Sequence, residues 1–394
     1  GWSAISVPSN WEMKGLEDAR YFRPDPAKYG LYRLKCEIPD EWRGRSLWLH
    51  FDGVLFAYTV YVNGTEAGSF SHAYLPAQFD ITPFVGADSR TVTIAVKVVR
   101  NLRESQFDTN DCWALSGIYR DVYLFSPPEY HIDGYALNTR LNPAKTAATL
   151  EAHVDIRFFR SKRDEMGGER TQVKPLSLRV TPAEPGGRTV HDAVVLVTRR
   201  HPLLLPSPEF RVAVPRPKLW NAEEPNLYTL TMTLMAGGET MQTVRTRVGL
   251  RTVTIEDGVF KVNGRPVKLR GVCRHEIHPD AGRALREEHW REDIRLMKAA
   301  NINAVRTSHY PTHERFMELC DEAGLYVIDE VPIGFGDRYL NIPDMRGTML
   351  ARAEETVARD RNHPSVVVWS IGNENPLTVN IERTAREVKL LDPE

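Results

Sequence analysis

The 394-residue chain has only four cysteines, Cys36, Cys112, Cys273 and Cys320, far apart and without a CxxC pair. That spacing excludes a zinc ribbon or a disulfide scaffold as the basis of the fold. No apolar run approaches the ~18 residues of a membrane-spanning helix, so no membrane partner is expected. Charge of one sign is also missing: 51 Lys and Arg oppose 52 Asp and Glu, a formal net charge of -1. A nucleic-acid partner would demand a basic footprint and is not expected. There is no GxSxG elbow and no Gly-rich phosphate loop after a strand, which removes serine-hydrolase and nucleotide-binding chemistry. A charged-then-apolar signal segment is lacking too. Because the chain opens on Gly1-Trp2-Ser3, as if processed or cut from something longer, its localisation stays open between cytoplasm and periplasm.

What is present is ordinary folded-protein material, 42% hydrophobic and 26% charged. At roughly 150 residues per domain the length allows two to three domains. Residues 1–128 read as short strands. Tyr58 to Val62 runs into Asn63-Gly64, the pair that favours a type I′ hairpin and outweighs the glycosylation sequon it also forms. From Thr91 to Val98 every second residue is a branched aliphatic. This pattern predicts a β-sandwich. Residues 129–251 alternate polar and apolar from Thr149 to Ile156, Leu176 to Val180 and Leu227 to Leu234. A Pro-rich stretch from Pro202 to Pro217 interrupts them. An immunoglobulin-like sandwich is predicted there, with Ser126-Pro127-Pro128 as the linker before it.

Residues 252–394 change period. Strands are predicted at Val267–Val272, Asn303–Arg306, Leu325–Asp329 and Val366–Ile371, each followed by a helix. Trp290, Ile294 and Met297 mark one face of the first helix. Four strand–helix units imply a parallel sheet covered by helices. Each strand ends in polar residues: Arg274-His275-Glu276, Thr307-Ser308-His309, Asp329-Glu330 and Asn373-Glu374. In a parallel barrel the carboxyl ends of the strands carry the chemistry, although a doubly wound sheet shares that property.

Glu374 is either a general acid in a partly desolvated mouth, which would favour its protonated form, or a helix cap. Asn373 beside it is a donor for a sugar hydroxyl. His275 and His309 are placed to bond one ligand together, or are satisfied structural groups. Asp329 and Glu330 read as partners for Arg306 or Arg274 more than as catalysts. The Asp108–Trp113 run is either a sugar-binding loop or a solvated one. Cys273 and His275 face one way on an extended strand, and His309 and His313 are four apart, but Pro311 lies between them. No tight metal site is expected from these.

Taken together, certain stretches resemble glycoside hydrolase family 2, the β-galactosidase and β-glucuronidase group. In the first zone they are Val7-Pro8-Ser9-Asn10-Trp11, Phe51-Asp52-Gly53-Val54, Val62-Asn63-Gly64 and the run Trp113 to Val122. In the third they are Leu269-Arg270-Gly271-Val272 with Arg274-His275-Glu276, Val305 to Pro311, Asp360 to Ser365, and Trp369 to Glu374. The resemblance implies a jelly-roll sugar-binding domain (1–128, its start missing), an immunoglobulin-like β-sandwich (129–251) and the first half of a (β/α)8 TIM barrel (252–394). It implies retaining hydrolysis of terminal β-galactosides, with Glu374 as acid/base and Asn373, His275 and His309 contacting the sugar. Asp111 matches the aspartate that reaches into the site from the first domain in β-galactosidases. Another specificity, such as β-glucuronidase, and a non-catalytic sugar-binding fragment remain as alternatives.

Retaining hydrolysis needs two carboxyl groups about 5–5.5 Å apart. The family's nucleophile is a glutamate on the seventh barrel strand, and the sequence ends 20 residues after Glu374 (394 minus 374). The resemblance therefore implies a fragment that is inactive alone and has unpaired barrel edges, drawn from a full-length homo-oligomer. A magnesium ion would need a Glu and a His just after the third strand. Gly334 and Gly336 stand there, so no metal cofactor is carried over.

Overall fold

The computed structural model describes residues 2–21, 28–100, 104–108, 111–159, 174–197, 207–334 and 339–393. In the first zone a four-stranded antiparallel sheet runs in the order Tyr29–Glu37, Thr91–Val99, Ala57–Val62, Thr65–Phe70. It packs on a three-stranded sheet of Ala77–Asp80, Trp48–Phe51 and Val122–Phe125. The alternation seen in the sequence is the packing. Val92, Ile94, Val96 and Val98 all face the core between the sheets. Each such buried side chain contributes about 1.5–3 kcal/mol. The Asn63-Gly64 turn has φ 51° and 89°, the two left-handed residues a type I′ hairpin requires.

The second sandwich pairs a three-stranded sheet, Tyr130–Leu141, Ala147–Phe158 and Glu209–Pro215, with a four-stranded one, Ala193–Val197, Leu176–Ala183, Tyr228–Ala236 and Glu239–Val248. One expectation fails here. The Pro-rich stretch does not simply interrupt the pattern, because Glu209–Pro215 is a strand that buries Phe210, Val212 and Val214 against Ala147–Phe158. Its prolines bracket the alternation and leave the ladder donors between them intact. Residues 202–206 of that stretch lie outside the described residues.

The third zone opens with an unpredicted antiparallel meander, Val253–Glu256, Val259–Val262 and Arg265–Pro266. The expected strand from Val267 shrinks to Gly271–Cys273, since Val267 to Arg270 stay outside the ladder. The strands Gly271–Cys273, Ala304–Arg306, Tyr326–Glu330 and Val366–Ser370 then pair in parallel, in that order. Helices Glu287–Ala299, Glu314–Ala323, Arg346–Asp360 and Val379–Leu391 accompany them. Trp290, Ile294 and Met297 are the buried face of the first helix, as their spacing predicts. The first and fourth strands are sheet edges in this chain, and Gly271, Val272 and Cys273 are exposed.

The domains are locked together by polar groups. Asn362 mimics a strand residue: its Oδ1 accepts from the Leu137 N–H at 2.9 Å and its Nδ2 donates to the Tyr135 carbonyl at 2.9 Å. The fully buried Trp220 of the second sandwich donates to the Asp321 carbonyl of the barrel at 2.9 Å.

Candidate active site

Parallel pairing sets the four strand ends side by side: Cys273 opposite Arg306, Arg306 opposite Ile328, and Glu330 opposite Ser370. The hub of the mouth is Glu330, which is completely buried. Its Oε2 accepts from Arg306 Nε at 2.8 Å and from Ser370 Oγ at 2.8 Å, and its Oε1 lies 2.9 Å from His309 Nδ1. Arg306 Nη2 also donates to Asn373 Oδ1 at 2.9 Å. One carboxylate thus orients residues from the second and fourth strand ends. The Nδ1–H of a neutral His309 donates to Glu330, so its Nε2 is an acceptor.

The expected pairing of Glu330 with Arg306 is present. Arg274 goes elsewhere: it donates to Asp293 at 2.8 Å and lies over the Phe316 ring. Asp329 accepts from Thr307 Oγ1 at 3.0 Å and lies beside the buried Asp360. Burial and the Asp360 charge push the Asp329 carboxyl well up. Asp360, despite its burial, is held ionised by Arg359.

His275 is half-buried, and its ring stands edge-on to that of His309, 5.3 Å between centroids. Burial first, then the Arg283 charge and the nearby His309, lower its pKa to about 4; Asp111 and Glu330 act the other way. Asp111 is therefore close enough to act on a barrel residue, although it belongs to the jelly roll. The loop carrying it is held at both ends. Its backbone carbonyl accepts from Tyr21 Oη at 3.0 Å. Upstream, the fully buried Asp108 accepts two bonds from the fully buried Arg352, at 2.6 and 3.0 Å. The Asp111 residue itself is exposed.

Glu374 departs from expectation. It was expected to be partly desolvated; here it is exposed, just after the edge strand Val366–Ser370. Its backbone is in the left-handed region, φ 54°, which costs a non-glycine residue roughly 1–2 kcal/mol. Gly372, two residues earlier, has φ 98°, and a Cβ there would lie 2.5 Å from the Ile333 carbonyl oxygen. Only glycine lets the chain turn tightly enough to present Asn373 and Glu374.

The residues after the third strand do not fit a magnesium ion. Gly334 has no ligating side chain, and its N–H is spent on the Phe107 carbonyl at 3.0 Å; Gly336 lies outside the described residues. Cys273 belongs, among the described residues, to no cluster of potential ligands; it accepts a long contact from Arg306 Nη1 at 3.7 Å. Among the described residues, ligand atoms of Asp52, Asp121 and His313 lie within 4.8 Å of one another. His313 Nδ1 accepts from the Arg315 N–H at 3.1 Å, which leaves its Nε2 protonated and aimed as a donor.

The sequence reading assigned no role to Arg120, Arg283, Tyr310 or Arg352. Arg120 donates to Glu276 at 2.6 Å and to the Pro311 and Tyr74 carbonyls at 2.9 and 3.0 Å. Tyr310 bonds His275. Arg120 and Tyr310 stood inside recognised motifs, but spacing alone does not reveal a partner 156 positions away.

The architecture is that of a sandwich-supported α/β barrel protein, with hydrogen-bonding and acidic side chains gathered at the carboxyl ends of its strands. Residues 2–128 match "Glycosyl hydrolases family 2, sugar binding domain", residues 130–251 match "Glycosyl hydrolases family 2", and residues 253–394 match "Glycosyl hydrolases family 2, TIM barrel domain". The chain belongs to glycosyl hydrolase family 2. It is 34% identical to a β-galactosidase of Priestia megaterium over 95% of its length, spanning 38% of that protein. It is 35% identical to one of Vibrio vulnificus over 95% of its length, spanning 37%. Among solved structures it resembles β-glucuronidase 2 of Bacteroides uniformis covalently bound to cyclophellitol-6-carboxylate aziridine. The TM-score is 0.82 and the identity 26%, covering 100% of this chain and 48% of that one. It also resembles the Ruminococcus gnavus β-glucuronidase in complex with D-glucuronic acid, with TM-score 0.80 and 26% identity over 98% and 65% of the two chains. The chain thus spans well under half of the β-galactosidases it matches.

Proposed function

We propose that this chain carries the acid/base half of a retaining β-glycosidase acting on terminal β-galactosides. The observation that supports it is convergence: Asn373, His309 and Arg306 share one hydrogen-bonded network, His275 stands beside His309, and Asp111 acts on His275 from another domain. Glu374 follows directly on that network. In this reading Glu374 protonates the departing glycosidic oxygen and then takes a proton from the attacking water, a contribution of about 10²–10⁴-fold. Asn373, His275, His309 and Asp111 hold the sugar hydroxyls. The nucleophilic carboxylate matches no residue here, so the isolated chain binds sugar without cleaving it. Domain limits at 128/129 and 251/252 go with this reading, as does a homo-oligomeric full-length protein.

β-Galactoside specificity is favoured by the β-galactosidase relatives and by Asp111. The likeness to two β-glucuronidase structures supports the second reading, β-glucuronide hydrolysis. The test compares aryl β-galactoside with aryl β-glucuronide cleavage by the full gene product, with Glu374→Gln alongside. Preferential cleavage of the galactoside, abolished or strongly reduced by Glu374→Gln, is expected. Cleavage of neither substrate, or an unaffected variant, rejects the assignment.

A further inference from the structure

We propose that Arg283 and Tyr310 are positioning residues that hold His275 in a single neutral tautomer, its proton on Nε2, so that it meets the sugar only as a hydrogen-bond donor. The argument is a count of donors and acceptors. A phenol offers one hydrogen and two lone pairs. The Tyr310 oxygen receives the Arg283 Nη1–H at 2.6 Å and the Glu276 backbone N–H at 3.2 Å. Neither of those partners can accept a bond in return. The phenol hydrogen is left with His275 Nδ1, at 3.2 Å. Nδ1 is therefore an acceptor, and the proton of the neutral ring sits on Nε2.

The arrangement is rigid. Tyr310 is buried, and its ring stacks on Tyr74 at 4.0 Å with 8° between planes. The Arg283 guanidinium lies 4.8 Å from the Tyr310 ring and 5.5 Å from Tyr74, and the Arg283 N–H is fixed by Asn10 Oδ1 at 2.7 Å. Arg283 has no carboxylate partner among the described residues, and its Nε is buried without an acceptor. Its charge therefore remains free to act on the imidazole. The groups facing His275 are Arg283, His309 and Tyr310, with Asp111 and Glu330 opposing; burial first, then the Arg283 charge, prevails, and the His275 pKa is lowered to about 4. His309 presents the opposite character, since its Nδ1–H is given to Glu330. A donor and an acceptor on rings whose centroids lie 5.3 Å apart suit neutral sugar hydroxyls, which do both.

The functional consequence rests on reading His275 as a sugar contact; the tautomer does not. The test is long-range proton–nitrogen NMR on the chain labelled at histidine, with His275 assigned through His275→Gln. The expected result is an unprotonated Nδ1 and a protonated Nε2 from about pH 5 to about pH 8. Tyr310→Phe keeps the ring stack but removes the hydroxyl, and both tautomers should then appear. Arg283→Met should let the ring protonate at higher pH. A protonated Nδ1 in the unmodified chain, or an unchanged tautomer in Tyr310→Phe, overturns the proposal. Galactose titration separates the two readings: a shift of the His275 signals supports the donor role. Tautomer control without any galactose response removes that role and leaves only the lock.

Discussion

The Arg120 guanidinium lies 2.6 Å from the Glu276 carboxylate, with both side chains sealed from water where the jelly roll meets the first barrel strand. Burial alone would raise the Glu276 pKa, but Arg120, Arg274 and the His313 N–H outweigh it and bring it to about 2. Removing one partner leaves the other charged and buried, a loss of roughly 3–5 kcal/mol. Glu276→Ala should therefore lower the urea midpoint markedly, whereas truncating an exposed pair such as Arg386–Glu382 should hardly move it. Equal small effects from the two variants would contradict this.

The same pair predicts an acid limb. The folded pKa of Glu276 is depressed below its ordinary value of 4.5, so its stabilisation is fully present above that value and is lost as pH falls towards about 2. Thermal melting followed from pH 5 downward should show a decline that is shallower in Glu276→Gln. That variant starts from a lower stability, so the slope, not the level, is the readout.

On the alkaline side the controlling pair is His363 and Asp321, 2.6 Å apart between the barrel helices and the strand Val366–Ser370. Burial would lower the His363 pKa, but Asp321 chiefly, with Asp360 and Glu314, raises it to about 9. A raised histidine pKa stabilises fully below 6.5 and loses its contribution as pH climbs through about 9. Melting temperature should fall across that window, and His363→Gln should flatten the fall. A profile identical in both proteins would rule the pair out as its cause.

These pairs also mark what could be read from the sequence and what could not. Periodicity located the barrel helices because one buried stripe, such as Trp290, Ile294 and Met297, is a local signal. The Asn63-Gly64 hairpin was legible for the same reason. Strand ends supplied His275, His309 and Asn373, since a parallel sheet aligns them. The strand Glu209–Pro215 was hidden because its flanking prolines are read as breakers before its alternation is noticed. Arg120–Glu276 and Arg352–Asp108 join residues 156 and 244 positions apart, and no local rule links such positions.

Arg352 and Asp108 give a prediction about reach across domains. Their buried two-bond pair anchors the stem of the loop that brings Asp111 towards His275, and Arg352 Nη2 also holds the Ser71 carbonyl at 3.0 Å. Asp108→Asn keeps the shape and removes the charge. It should weaken galactose binding measured by calorimetry nearly as much as Asp111→Asn does, although Asp108 is buried away from solvent. Undiminished affinity in Asp108→Asn would mean that the loop is held without the clamp.

Gly372 tests whether the turn, and not only the glutamate, sets the acid/base. At φ 98° an alanine is strained, and its Cβ would press within 2.5 Å of the Ile333 carbonyl oxygen, which is backbone and cannot swing aside. The chain from Gly372 to Asn375 must therefore shift, and Asn375 Nδ2, which donates to that same carbonyl at 3.0 Å, must move with it. A displacement of about 1 Å at a reacting group can cost about 10²-fold. Gly372→Ala in the full gene product should lower kcat on an aryl β-galactoside by that order with a smaller change in KM, since Asn373 moves with the turn while His275, His309 and Asp111 lie on other elements. An equal loss in KM would show that the substitution disturbs the sugar contacts and not the placement of Glu374. An unchanged kcat would show that the turn has slack, and that the left-handed geometry of Glu374 is incidental to its chemistry.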